Sequence, residues 1–93
     1  MRMDKFTHQF QKAIADAQSK AVISNNNYIE VEHVMCVMLQ DEEFGVRHFL
    51  ENANLNINNF RDDLDQRLLN MPTVHGNDGD VHLSRDLIKV LNI

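Results

Sequence analysis

Histidine is the residue type in this chain that most readily does chemistry, and the chain has five histidines beside a single cysteine. His75 and His82 stand on either side of the polar run 77–80, where a metal ion would find carboxylates nearby. A zinc enzyme would need an HExxH motif or cysteine partners, and a calcium loop would need alternate carboxylates with a distal glutamate. The sequence has none of these patterns, so we predict no metal site and interpret the run as a turn-forming loop.

Glu32 and His33 form a second candidate pair, as a general acid and base. Side chains at adjacent helix positions point about 100° apart, so these two cannot serve one reaction centre. The sequence also lacks a Walker A pattern, a nucleophile elbow and a glycine-rich phosphate loop. We therefore predict no catalytic residue and no bound cofactor in this chain, and we assign Glu32 and His33 to helix start and packing.

Cys36 lies within the apolar run VEHVMCVML. A lone cysteine cannot form an internal disulfide, and in such a run a small buried thiol is its commonest role. The sequence therefore predicts a packed side chain without a chemical role.

Charge and hydropathy narrow the possible partners. The net charge is −5, and the nine lysines and arginines are scattered singly. Such a distribution makes no positive patch that would attract nucleic acid or an anionic membrane. No apolar run approaches the roughly 18 residues of a membrane span. The start, MRMDKFTHQF, is too charged for a targeting signal, so we expect a cytoplasmic protein.

Apolar residues recur at helical spacing through most of the chain, and short polar runs separate the segments. We predict helices at about 4–22, 31–40, 45–53 and 57–70, a connecting loop at 72–83, and a further helix over 84–93. The pattern indicates an all-α fold in one compact unit.

Local signals mark the ends of these helices. Thr7, Asn56 and Ser84 are placed to cap helix starts, and Asn54 is placed to turn left-handed after a helix end. The predicted inward faces include Met35 and Phe49.

The last predicted helix repeats the first. When FTHQFQKAI at 6–14 is set above LSRDLIKVL at 83–91, Thr7 aligns with Ser84 and Phe10 with Leu87, at a constant offset of 77. This spacing equals one four-helix set plus a linker. We therefore expect the tail to be the start of a second copy.

With these residues in place, the chain resembles the Clp N-terminal domain, a pair of four-helix repeats at the head of AAA+ unfoldases. The resemblance is closest to the version found in ClpB-type disaggregases. It covers the whole chain and depends on MRMDKFT, FQKAIADAQSKA, IEVEHVMCVML, the Ala-Asn-Leu turn and LNMPTVHGNDGDVHLSRDLIKVLNI. Val31 stands where the family often has Thr or Pro, and Asn54 where Gly is usual.

The resemblance implies a first Clp repeat at 1–71, a linker at 72–83 and the first helix of a truncated second repeat from 84 to 93. It further implies that Thr7, Leu91 and Ile93 belong to a hydrophobic groove that captures unfolded or aggregated polypeptides. A full-length protein of this kind would be a homohexamer that binds ATP and magnesium in modules absent here and cooperates with a DnaK-type chaperone.

Plain structural roles compete with the groove roles, because Thr7 is also placed to cap a helix and Leu91 continues a core stripe. Two other functions stay open. One is an adaptor-binding N-domain of a ClpA- or ClpC-type protease, which would recognise a folded partner. The other is a small metal-dependent hydrolase that uses the histidines.

Overall fold

The structure, a computed structural model, describes residues 7–75 and 79–92. Within these ranges the chain is mainly helical, and the all-α prediction is confirmed. The elements follow in the order α1 (His8–Ile23), β1 (Tyr28–Ile29), α2 (Val31–Gln40), a 3-10 helix (Glu42–Phe44), α3 (Val46–Asn52), α4 (Ile57–Leu69), β2 (His82–Leu83) and α5 (Arg85–Leu91). Residues 4–6 of the first predicted helix and Ile93 lie outside the described residues.

Helix α1 presents a narrow face of small residues to α2. Ala13, Ala17 and Ala21 are almost fully buried, and their short side chains allow the two helix backbones to approach closely. The helix ends at Ile23, and Asn25 follows with φ 58°, the left-handed conformation that asparagine tolerates better than most residues.

The core joins α1, α2 and α5. Its buried apolar residues are Ile14, Ala17, Ala21, Ile29, Val34, Val81 and Leu87. Leu87 is 1% exposed, so α5 inserts a full leucine side chain among the helices that precede it. Burial of such a side chain stabilises the fold by about 1.5–3 kcal/mol, which makes α5 part of the same folding unit as α1 and α2.

A short parallel strand pair directs α5 onto this core. Tyr28 pairs with His82 and Ile29 pairs with Leu83, and the N–H of Ser84 then donates to the carbonyl oxygen of Ile29 at 3.0 Å. Sequence patterning predicted a loop over 82–83. Two residues per strand are too few to show the alternation by which a strand is recognised.

Some of the predicted inward positions are wrong. Phe49 on α3 is 69% exposed, and Met35 on α2 is 37% exposed. Helix α3 has only seven residues and buries none of them fully, so its apolar side rests on the surface of the bundle rather than within it. On α5, the apolar residues Ile88 and Val90 are also exposed.

The helix ends agree with the local signals. Asn56 Oδ1 accepts a hydrogen bond from the N–H of Asn59 at 3.1 Å, and Asn54 has φ 62°. The predicted cap and the predicted left-handed turn are both confirmed. Among the described residues, no helix is both long and apolar enough to cross a bilayer.

Candidate functional site: the apolar side of α5 and the buried histidine

Thr7 lies at the start of α1 and caps it. Its Oγ1 accepts a hydrogen bond from the N–H of Phe10 at 3.1 Å, and its side chain is exposed to solvent. The cap satisfies one of the free N–H groups at the helix start. The hydroxyl oxygen therefore has a structural role, in a residue that is exposed to solvent.

Leu91 is the last residue of α5 and is half-buried. It packs against the core cluster, as does Phe10, the residue whose N–H Thr7 binds. Phe10 and Leu91 therefore both border the core, whereas Thr7 is exposed to solvent at the start of α1. Ile93, the third residue expected in the groove, lies outside the described residues.

Helix α5 exposes apolar surface next to Leu91. Ile88, one turn before Leu91, is 38% exposed, and Val90, on the opposite flank of the helix, is 65% exposed. Ile88 also borders an open depression with Tyr28 and Leu83, and the charged side chains of this depression are Glu30, Arg85 and Asp86. Exposed apolar residues of this kind can bind apolar segments of another chain.

His33 lies fully buried at the start of α2 and makes two hydrogen bonds. The N–H of Glu30 donates to Nδ1 at 2.8 Å, and Nε2 lies 2.9 Å from Oδ1 of Asn26. Because Nδ1 accepts, the ring proton is on Nε2 and is donated to Asn26. The imidazole is therefore neutral and both of its nitrogens are used.

Burial lowers the pKa of His33 from its ordinary value, because the charged ring would lose its hydration. Glu30 acts in the opposite direction, Lys20 lowers the pKa further, and Glu32 raises it. The net shift is downward, which keeps the ring uncharged at neutral pH.

The structural assignment of His33 is confirmed by these contacts. Its bond to the N–H of Glu30 satisfies a free donor at the start of α2, where Val31 stands in place of the Thr or Pro that the family often has. Sequence reasoning missed the partner, Asn26, which is 3% exposed between two exposed asparagines. No periodicity distinguishes the buried member of such a run.

The remaining chemical candidates occupy ordinary positions. Cys36 is a buried free thiol, as predicted, and its Sγ accepts from Nε2 of Gln40 at 3.7 Å. His82 Nε2 lies 3.1 Å from Oδ1 of Asp80 in an exposed surface pair. In the described part of the chain, no three histidine, cysteine or acidic side chains gather as a metal-binding group.

Four helices packed together, followed by a fifth that is capped as the first is, define an all-helical repeat domain. Comparison with known proteins agrees: residues 5–93 match the family model of the Clp repeat (R) N-terminal domain. The chain belongs to this family. A domain of this family is a non-catalytic N-terminal domain, which fits a binding module.

The curated relatives are named "Chaperone protein ClpB". The chain is 39% identical over 93 residues to that of Vibrio cholerae serotype O1, and the alignment covers 100% of this chain and 11% of the relative. It is 35% identical over 92 residues to that of Pseudomonas putida, with 99% and 11% covered. It is 34% identical over 87 residues to that of Enterococcus faecalis, with 94% and 10% covered. The chain thus spans about a tenth of the length of these relatives, and the resemblance to ClpB N-terminal regions is confirmed.

Proposed function

We propose that the chain is the substrate-capturing N-terminal domain of an ATP-dependent protein disaggregase of the ClpB type. The observation that carries the proposal is on α5, where exposed Ile88 lies one turn before half-buried Leu91 on the same side of the helix. Unfolded and aggregated polypeptides expose apolar side chains. Their burial on such a surface contributes about 25 cal/mol per Å² and places little demand on sequence.

We propose Thr7, Leu91 and Ile93 as residues of the capturing groove. Thr7 would contribute its methyl group and its O–H, since its hydroxyl oxygen already accepts the cap bond of α1. Leu91 would contribute the part of its side chain that the core leaves uncovered. The net charge of −5 adds a preference for substrates with basic flanks.

We also propose for the full-length protein the further features that the resemblance implies. The chain would comprise a first Clp repeat at 1–71, a linker at 72–83 and the start of a second repeat from 84. ATP and magnesium would bind in separate ATPase modules of a cytoplasmic homohexamer that acts in the stress response and cooperates with a DnaK-type chaperone. The name of the matched relatives favours this function over adaptor docking in a ClpA- or ClpC-type protease.

A binding assay with matched variants tests the groove. Fluorescence anisotropy with a labelled, permanently unfolded polypeptide should show about tenfold weaker binding for Leu91→Asp, which corresponds to about 1.4 kcal/mol. The control is Leu69→Asp, the same change at a site on α4 that is 76% exposed and outside the proposed groove. Circular dichroism checks that both variants are folded. Equal affinities for the two folded variants would contradict the groove.

A further inference from the structure

The connection between α4 and β2 is fastened at its start by a cluster of hydrogen bonds. Asn26 forms an antiparallel bridge with Thr73, and the N–H of Val74 donates to the carbonyl oxygen of Asn25 at 2.7 Å. The side-chain Nδ2 of Asn26 donates to the carbonyl oxygen of Pro72 at 3.3 Å. Asn26 therefore binds the connection through its side chain, and its neighbour Asn25 does so through its backbone.

The same connection is fastened independently at its far end. There β2 pairs with β1, and Ser84 is bound to Ile29. The two attachments share no hydrogen bond. If the first opened, the connection would stay tied to the core through the second.

His33 sets the orientation of the Asn26 amide. Because Nε2 of His33 donates to Oδ1 of Asn26, the Nδ2 of that amide is directed to its other partner, Pro72. The bond from Glu30 requires an unprotonated Nδ1. Protonation of Nδ1 would set two N–H donors against each other and place a charge where His33 is fully buried. The Nε2–H donor is unchanged by this proton, so the bond to Asn26 is lost because the charged ring leaves its buried place.

The charged groups around this cluster come from α1, α2, α4 and α5. Lys20 on α1 and both Glu30 and Glu32 at the start of α2 act on the ring, and desolvation outweighs the two carboxylates. The groups further out are Asp65 on α4, which shares a surface depression with Lys20 and Asn26, and Arg85 and Asp86 on α5, which share one with Glu30.

We propose that His33, Asn26 and Pro72 form an acid-released latch that holds the start of the α4 to β2 connection while His33 is neutral and releases it on protonation. Release leaves the connection attached through β2 alone. The segment between the first four helices and α5 then gains freedom in acid without unfolding of the core.

Hydrogen exchange of single amides, measured by NMR, tests the latch in the wild-type chain. The reporter is the N–H of Val74, and the N–H of Ala17 in buried α1 reports global unfolding. Protection of Val74, corrected for intrinsic exchange, should fall about tenfold per pH unit below about pH 6.5. Low urea concentrations should leave this opening unchanged, because a local opening exposes little surface. The proposal would be overturned if the protection of Val74 did not change with pH. It would also be overturned if that protection fell with urea as the protection of Ala17 does.

Three variants sharpen the test. Glutamine is the usual capping-box residue at the position of His33, so His33→Gln keeps an acceptor for Glu30 but does not titrate. In this variant Val74 should lose its acid response, whereas exposed His75→Gln should keep it. In Asn26→Ala, the N–H of Val74 should already exchange faster at neutral pH, and acid should not lower its protection further. An unaltered acid response in His33→Gln or in Asn26→Ala would overturn the latch.

Discussion

Thr7 and Ser84, 77 positions apart, take the same backbone conformation and make the same cap bond. Thr7 has φ −64° and ψ 158°, and Ser84 has φ −68° and ψ 161°. Each hydroxyl oxygen accepts from the N–H three residues on, Phe10 at 3.1 Å and Leu87 at 3.0 Å. The alignment of the two helix starts, made from sequence, is therefore confirmed at the caps.

Loss of the Ser84 cap should destabilise the chain. Ser84 is 6% exposed, so its replacement by alanine leaves the N–H of Leu87 without a partner in a buried place. We expect Ser84→Ala to lower the free energy of unfolding by about 1–2 kcal/mol in urea titration. Ser19→Ala, an exposed position within α1, is the matched control and should change it by less than about 0.5 kcal/mol. Equal effects of the two changes would contradict the cap.

The two roles given to Thr7 can be separated by substitution. Thr7→Ala removes the cap and should lower the free energy of unfolding by about 0.5–1 kcal/mol. Thr7→Asp keeps a capping oxygen and should preserve stability, but it replaces the methyl group with a charge and should weaken binding of an unfolded polypeptide. Urea titration and anisotropy measure the two effects. If Thr7→Asp binds as the wild type does, Thr7 is a cap only.

Leu87 is the residue through which α5 belongs to the core. Leu87→Ala removes a side chain that is 1% exposed and should lower the free energy of unfolding by about 2–5 kcal/mol. Val90→Ala, three residues on and 65% exposed, should change it by less than about 0.5 kcal/mol. Thermal or urea unfolding distinguishes them. A small effect of Leu87→Ala would mean that α5 is not packed as the structure has it.

Stability should fall in mild acid because of His33. Its pKa is lowered in the folded chain, so the unfolded chain takes up the proton first as the pH falls. The loss of stability should begin below about pH 6.5 and grow until the pH reaches the folded-state pKa of His33. Urea titrations over this range should show a slope that His33→Gln removes and that exposed His48→Gln retains. A slope unchanged in His33→Gln would contradict this assignment.

The helices and their ends were predictable because their signals are local. The apolar stripe of α1 places Ala13, Ala17 and Ala21 on one face, and a cap or a left-handed turn depends on a few neighbouring residues, as at Asn56 and Asn54. Such signals need no knowledge of the tertiary partner.

The features that were missed depend on distant segments. The parallel pair of β1 and β2 joins residues more than fifty positions apart, and the bond of Asn26 to Pro72 spans 46 positions. The exposure of Phe49 likewise depends on which helices lie beside short α3, since two turns of amphipathic sequence do not determine how deeply a helix packs. Thr7 and Leu91 were indicated by family resemblance rather than by periodicity.

The temperature dependence of the binding enthalpy tests apolar capture most directly. Isothermal titration calorimetry of the chain with a permanently unfolded polypeptide, at several temperatures, yields the heat-capacity change of binding. Burial of apolar surface predicts a negative value that Leu91→Asp reduces and Leu69→Asp leaves unchanged. A value near zero for the wild-type chain, with binding that disappears at high salt, would contradict capture by an apolar surface.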